Sequence, residues 1–146
     1  MSGTLTTGND TSAFGNGKDT FNVASGTVGS GQTDNIDGGQ HDADTILLTT
    51  VAGTTADFSF ATISNVEVLT GSAGNDTVTL TLAQYNAFAA VATNVIDLAG
   101  GTNDVLNIKI GGTVDLTANA LNKQTNTETL NITANGTDES LTINAS

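Results

Sequence analysis

The stretch Gly15-Asn16-Gly17-Lys18-Asp19-Thr20-Phe21 is the most informative about the fold of this chain. It fits the second half of the nonapeptide G-G-x-G-x-D-x-U-x, in which U is a large apolar residue and which binds calcium between stacked coils of a parallel β-helix. The stretch Gly71-Ser72-Ala73-Gly74-Asn75-Asp76-Thr77-Val78 is a second copy. The two copies predict a β-solenoid with calcium in its turns.

Short runs of alternating apolar and polar residues lie between these turns. Such alternation is typical of strands with one buried face. The apolar positions are Phe21 and Val23; Phe58 and Phe60; Val66 and Val68; Val78, Leu80 and Leu82; Leu106, Ile108 and Ile110; Leu130 and Ile132; and Leu141 and Ile143. Gly, Asn and Asp separate the runs and suit sharp turns. We therefore predict an all-β protein of one domain, residues 1–146.

One segment breaks the strand period. Thr81-Leu82-Ala83-Gln84 resembles a capping box, in which a Thr cap and a Gln three residues later bond each other's backbone. Good helix formers follow, so we predict one short α-helix over residues 82–91. We expect Leu82, Tyr85 and Phe88 on this helix to pack against the solenoid, not to form a ligand site.

The chain also contains a longer internal repeat. Residues 63–69 resemble residues 124–130, and the equivalent Glu67 and Glu128 lie 61 residues apart. Two pairs of aspartates repeat at an interval of 60 residues, Asp37 with Asp97 and Asp44 with Asp104. The interval predicts two divergent copies, residues 28–80 and 93–143, after an N-terminal cap at residues 1–27. Units that stack on their neighbours are typical of structural arrays.

The charge of the chain is strongly negative. It has 15 Asp and Glu against 3 Lys and Arg, a formal net charge of −12, and it has no Cys. This balance argues against nucleic acid or an anionic membrane as a partner. No apolar stretch is long enough for membrane insertion. The acidic residues fit either a solvated surface or a set of cation ligands, and their recurrence beside Gly and Asn favours the second.

The Gly-Asp turns supply the candidate ligands for Ca²⁺. Asp10 and Asp19 lie nine residues apart, which is the nonapeptide spacing, so we expect them on successive turns that share an ion. Pairing is needed because Ca²⁺ takes six to eight oxygens. The candidate metal ligands are Gly8, Asp10, Gly15, Gly17, Asp19, Asp37, Asp42, Asp44, Gly74, Asp76, Asp97 and Asp104.

Two points about these turns stay open in the sequence. Asp76 has no partner at the nonapeptide spacing, so an ion there would need a ligand from a non-adjacent coil. Each turn also fits an ordinary Asx turn, in which the Asp side chain bonds nearby backbone without a metal.

Nothing in the sequence forms a catalytic set, and we expect a protein that is not an enzyme. His41 is the single His, which argues against zinc and against a Ser-His-Asp triad. The chain lacks the G-x-S-x-G elbow and the phosphate-binding loop. Glu67 and Glu128 invite comparison with a two-carboxylate glycosidase, but their equivalence in two repeats favours a shared structural role.

The residues resemble a known family. Thr4 to Thr11 and Asp19 to Ala24 are similar to the opening of the calcium-binding region in type I-secreted bacterial surface-layer (S-layer) proteins, within the repeats-in-toxin superfamily. Residues 36–39, 44–47 and 63–69 are similar as well, and the second repeat more weakly. The chain departs from the family in lacking a long run of nonapeptides and an obvious secretion signal before Ser146.

The resemblance implies a right-handed, β-roll-like parallel β-solenoid, Ca²⁺ in its turns, type I secretion and an extracellular place on the bacterial cell surface. We therefore expect a structural, calcium-stabilised module that self-assembles into a surface layer or filament, with cell-surface polysaccharide as a further partner. The alternative is a ligand-binding or extender domain of a calcium-dependent adhesin. In that case the Thr ladder of residues 77–81 would face ice or a glycan.

Overall fold

A computed structural model describes residues 1–40, 43–89, 95–111, 114–117, 124–127, 129–134 and 141–144. Over these residues the chain is a β-solenoid of short parallel strands with one short α-helix, as the sequence predicts. The elements are β1 Ser2–Thr4, β2 Thr11–Ala13, β3 Thr20–Val23, β4 Asn35–Asp37, β5 Thr45–Leu48, β6 Thr55–Asp57, a 3₁₀ turn Phe58–Phe60, β7 Thr62–Ser64, β8 Val68–Thr70, β9 Thr77–Thr81, α1 Leu82–Ala89, β10 Val95–Asp97, β11 Val105–Ile110, β12 Val114–Thr117, β13 Gln124–Thr125, β14 Thr129–Ala134 and β15 Leu141–Asn144.

The strands form parallel sheets along the sides of the solenoid. Sheet I has the order β1-β3-β5-β8-β10-β13, sheet II β14-β11-β9-β6, sheet III β2-β4-β7 and sheet IV β12-β15. Every strand pair is parallel, and no two partners are consecutive in the chain. Each strand therefore lies against the strand that the chain forms one coil later, which is the defining arrangement of a solenoid.

The core runs along the inside of the coils. In sheet I the paired residues Phe21, Ile46, Leu69 and Ile96 form one inward column, and each is fully buried. Sheet II carries a second column through Val78 and its partner Leu106. These columns confirm the predicted strand period at Phe21, Val78 and Leu106, whereas Leu82 lies in the helix. Burial of apolar side chains on successive coils stabilises the stack by about 25 cal/mol for each Å² removed from water.

Two of the predicted strand pairs are wrong. Phe58 and Phe60 lie in the 3₁₀ turn, where Phe58 is buried and Phe60 is 45% exposed. The turn forms because the Asp57 carboxylate accepts the Ser59 N–H and bends the chain away from the strand. Val66 is buried in the loop before β8, whereas Val68 is half-buried on the outward side of that strand.

The predicted helix is confirmed, and α1 ends at Ala89. The Thr81 N–H donates to Gln84 Oε1 and the Gln84 N–H donates to Thr81 Oγ1, so the capping box closes in both directions. Tyr85 and Phe88 are buried against the solenoid, as expected for packing residues. Leu82 packs against the same core. The last predicted residues, 90 and 91, lie outside the described residues.

Candidate functional site: the stacked acidic corners

An acidic residue stands immediately before many of the strands. The residues in this position are Asp10, Asp19, Asp34, Asp44, Glu67, Asp76 and Asp104. Because the strands stack in register, these side chains recur at the same corner of successive coils. We call each such series an acid stack, defined by a carboxylate that accepts the backbone N–H of the equivalent residue one coil earlier.

The acid stack at the start of sheet I contains Asp19, Asp44 and Glu67. The Asp19 N–H donates to Asp44 Oδ1 at 2.8 Å, across 25 residues of chain. The Asp44 N–H in turn donates to Glu67 Oε2 at 2.9 Å. The amino group of Met1 pairs with Asp19 Oδ1 in the same manner. Glu67 thus takes part in this stack, whereas Glu128 lies outside the described residues, so the shared structural role of the two stays a prediction.

Two further stacks start sheets III and II. The Asp10 N–H donates to Asp34 Oδ1 at 3.0 Å. The Thr54 N–H donates to Asp76 Oδ1 at 2.5 Å, and the Asp76 N–H donates to Asp104 Oδ1 at 2.6 Å. In each pair the acceptor comes 22 to 28 residues after the donor.

These stacks correct two sequence predictions. Asp10 and Asp19 do not form one site on successive turns, because Asp10 starts a strand of sheet III and Asp19 a strand of sheet I. Asp76 does not need a ligand from a non-adjacent coil, because its neighbour Asp104 lies on the next coil. The nonapeptide spacing gave the wrong partners because the stacked corners are separated by more than twenty residues.

The two Gly-Asn-Asp corners are closed by protein hydrogen bonds. In the corner of Gly74, the Asp76 carboxylate accepts the Ser72 N–H and Ser72 hydroxyl as well as the Thr54 N–H. The Gly74 N–H donates to the same hydroxyl. With three donors on a fully buried carboxylate, Asp76 bonds nearby backbone as the Asx-turn interpretation expects, and its role as a calcium ligand stays a prediction.

The corner of Gly8 repeats this chemistry nearer to solvent. The Asp10 carboxylate accepts the Thr6 N–H at 2.6 Å and the Thr6 hydroxyl at 3.1 Å. The Gly8 N–H donates to that hydroxyl. Asp10 is half-buried, whereas Asp76 is fully buried. The two corners are thus a natural matched pair for mutagenesis.

The predicted internal repeat corresponds to a second type of corner. Asp37, at the end of β4, accepts the Gly39 N–H and the Asn65 side-chain amide. Asp97, at the end of β10, accepts the Ala99 N–H and the Asn126 side-chain amide in the same way. The hydrogen bond from Asn65 and that from Gly39 lower the pKa of Asp37. The corner of Asp37 follows a strand of sheet III, whereas the corner of Asp97 follows a strand of sheet I. The two copies of the repeat therefore place this corner on different sides of the solenoid.

The remaining predicted ligands are scattered over these corners. Gly15 and Gly17 lie in the loop between β2 and β3, with Gly17 at φ +115°. The Asp44 carboxylate packs on Gly38, where an added Cβ would lie 2.5 Å from Oδ2. Asp42, another of the predicted ligands, lies outside the described residues.

Two buried carboxylates keep an oxygen that no donor reaches. Asp19 Oδ2 and Asp34 Oδ2 have no hydrogen-bond partner among the described residues, and both side chains are at most 2% exposed. Burial raises the pKa of Asp34, and repulsion from the Asp10 carboxylate adds to the rise. Carboxylate oxygens are the ligand type that Ca²⁺ prefers, and these two belong to different stacks, at the starts of sheets I and III. Within the described part of the chain, no cluster of three or more His, Asp or Glu side chains is assembled around one point.

Asp34 is not among the candidate metal ligands predicted from the sequence. It lies at the end of the Gly- and Ser-rich segment of residues 24–35, whose composition is typical of a loop. The segment has no strand before Asn35, yet Val28 within it is 3% exposed and belongs to the core. A usable signal was an acid directly before an alternating run, as in Asp34-Asn35-Ile36 and Asp44-Thr45-Ile46.

Comparison of the chain with protein-family models, with curated proteins and with solved structures finds no match. Its function is therefore inferred from the fold and from the corners. Among the described residues no helix combines the length and the apolar character needed to cross a bilayer.

Proposed function

We propose that the chain is a structural, calcium-stabilised module that self-assembles into a bacterial cell-surface layer or extracellular filament. The observation that carries the proposal is the pair of buried carboxylate oxygens of Asp19 and Asp34, in a solenoid with a net charge of −12. A buried carboxylate oxygen that accepts no hydrogen bond is costly unless a cation approaches it. An extracellular location reached by type I secretion supplies that cation.

Asp34, next to Asp10, and Asp19, next to Asp44, would hold calcium through their Oδ2 atoms. A bound Ca²⁺ supplies positive charge and takes up carboxylate and carbonyl oxygens. In chelator these acids repel one another and oppose the stacking of the coils. In calcium the same acids hold consecutive coils together. Calcium is therefore proposed as a switch for folding, not as a catalyst.

The substitution Asp34→Asn tests this role directly. The pKa of Asp34 is raised from 3.8, so its ionised form destabilises the fold as pH rises above that range. In chelator at neutral pH we expect the variant to melt higher than the parent, by about 3 °C. This difference in melting temperature should disappear in acid, where the Asp34 carboxyl of the parent is protonated. Thermal melts followed by circular dichroism would measure it.

In calcium we expect the parent to melt at a higher temperature than Asp34→Asn, the reverse of the order in chelator. At about a hundredfold excess over Kd, one site stabilises the parent by about 2.7 kcal/mol, a gain that Asp34→Asn would lose. Asp37→Asn is the matched control, because the Asp37 carboxylate already accepts protein donors. If parent and Asp34→Asn gain equally from calcium, the ion does not bind at Asp34.

Self-assembly is supported by the open edges of the solenoid. Strand β1 is the first strand of sheet I and β2 is the first strand of sheet III, so each is an edge strand. Edge strands present backbone groups that can pair with another chain. A contact between unlike ends of two copies gives a filament where the rotation between copies does not close, and a ring where it does.

Negative-stain electron microscopy would test assembly, with purified chain in millimolar calcium, in magnesium and in chelator. We expect ordered sheets or filaments in calcium alone. Single particles of one size in all three solutions would contradict self-assembly, even if calcium raises the melting temperature of the parent as expected.

A second candidate function is favoured by the outward face of sheet II. The register aligns Asp57, Thr79, Asn107 and Asn131 in one row across four strands. The Asn131 amide donates to Asn107 Oδ1 at 3.0 Å, and the Asn107 amide donates to Thr79 Oγ1 at 3.4 Å. A flat face with such a regular polar row is suited to a ligand-binding or extender domain of an adhesin.

A further inference from the structure

Phe60 is unusual among the aromatic residues. Phe21, Phe58, Tyr85 and Phe88 are buried in the core, whereas Phe60 is 45% exposed. It ends the 3₁₀ turn that follows β6 at the edge of sheet II. An exposed aromatic ring beside a polar sheet face has no part in the core or in the acid stacks, and such rings are often used for ligand contact.

Lys109 holds this ring in place. Its Nζ lies 5.1 Å from the centre of the Phe60 ring, a distance suited to a cation–π contact. The same Nζ donates to Asp57 Oδ2 at 2.9 Å and to Ser59 Oγ at 2.8 Å. The Ser59 hydroxyl donates to Asp57 Oδ1. The result is a fixed cluster whose positive and negative charges cancel.

The titratable group in this cluster is kept ionised. Burial alone would raise the pKa of Asp57, but the hydrogen bonds from Ser59 and Lys109 outweigh it and lower the pKa. The Asp57 carboxylate therefore offsets the positive charge of Lys109 in this ion pair. This region of sheet II offers polarity without net charge, in a chain that is otherwise strongly acidic.

Lys109 also borders a cavity of about 500 Å³. Its lining includes the Thr81 and Asn86 side chains together with Gly111. The row of Asp57, Thr79, Asn107 and Asn131 lies on the same face of the sheet. Lys109 thus contacts both the Phe60 ring and the Asp57 carboxylate, and it also lines the cavity. Ligand sites commonly combine a concave apolar surface with a few fixed polar groups.

We propose that the face of sheet II around Phe60 and Lys109 binds a neutral oligosaccharide. The ring offers an apolar surface to the C–H face of a sugar, and the Asn107 and Thr79 side chains offer donors and acceptors to its hydroxyls. An anionic polymer is disfavoured, because Asp57 neutralises Lys109 and the chain carries a net charge of −12. This inference rests on the second candidate function and does not require calcium-driven assembly.

Isothermal titration of the whole chain would test the proposal. The probes are soluble cello-, chito- and malto-oligosaccharides, with oligogalacturonate as the anionic comparison. We expect at least one neutral series to bind, and Phe60→Ala to weaken its binding by about tenfold. Phe60→Trp should retain binding because it keeps an aromatic surface. Val51→Ala is the matched control, since Val51 is 79% exposed and lies in the turn between β5 and β6.

The outcomes separate this inference from the proposals above. Binding of oligogalacturonate alone, or of no neutral series at saturating sugar, would overturn it. Equal affinity in Phe60→Ala and the parent would overturn it as well. Circular dichroism of each variant would establish that it is folded. Sugar binding by a chain that does not assemble in calcium would support this inference and contradict the surface-layer proposal.

Discussion

Replacing Asp76 by alanine should destabilise the fold by about 4 kcal/mol, the largest expected effect of any single corner substitution. The carboxylate is fully buried and accepts the Thr54 N–H, the Ser72 N–H and the Ser72 hydroxyl. Alanine would leave these donors buried without an acceptor. Urea unfolding followed by circular dichroism would measure the loss, which we expect to be the same in calcium and in chelator.

Asp10→Ala is the matched control for this prediction. Asp10 belongs to the same type of corner and accepts the Thr6 N–H and hydroxyl. Because this corner is more exposed, water can replace the carboxylate, and we expect a loss of about 1 kcal/mol. If Asp76→Ala cost no more than Asp10→Ala, the hydrogen bonds within the corner would not be its main stabilising feature. A loss confined to calcium solutions would instead assign a cation to Asp76.

Gly53→Ala is expected to have the second largest effect, about 3 kcal/mol. Gly53 has φ +113°, and a Cβ built on it would lie 2.0 Å from the backbone oxygen of Asn75. The alanine would be strained by its backbone conformation and would also force two stacked corners apart. We expect a lower midpoint in thermal and urea unfolding.

Gly26→Ala separates the cost of the backbone conformation from the cost of the steric clash. Gly26 also has a positive φ, +78°, but an added Cβ would meet nothing within 4 Å. It should therefore show the conformational cost alone, about 1 kcal/mol. Equal losses at Gly26 and Gly53 would mean that the corners separate easily, contrary to the close stacking seen between Gly53 and Asn75.

Local features of this fold could be predicted from the sequence. The capping box of Thr81 and Gln84 needs residues only three apart, and both of its hydrogen bonds form. The inward positions of Val78 and Leu80 follow from the alternation of a strand and are buried as predicted. Each of these features depends on the geometry of one element.

Features that depend on the stacking of coils could not be predicted in the same way. The partner of Asp10 is Asp34 and not Asp19, because the number of residues between corners is set by the loops of a whole coil. The hydrogen bond between Asn65 and Asp37 spans 28 residues and joins two coils. Phe60 turns outward because the Asp57 carboxylate bends the chain at Ser59, and this side-chain effect overrides the strand period.

The acid stacks give the solenoid a chemical direction. In every stack the backbone N–H belongs to the earlier coil and the carboxylate to the later one. Within a stack, each acid donates its N–H to the coil after it and accepts from the coil before it, as Asp44 does between Asp19 and Glu67. A coil placed in the reverse orientation would bring carboxylate against carboxylate. The acid stacks therefore favour the parallel arrangement of the coils by hydrogen bonding, in addition to the apolar columns inside them.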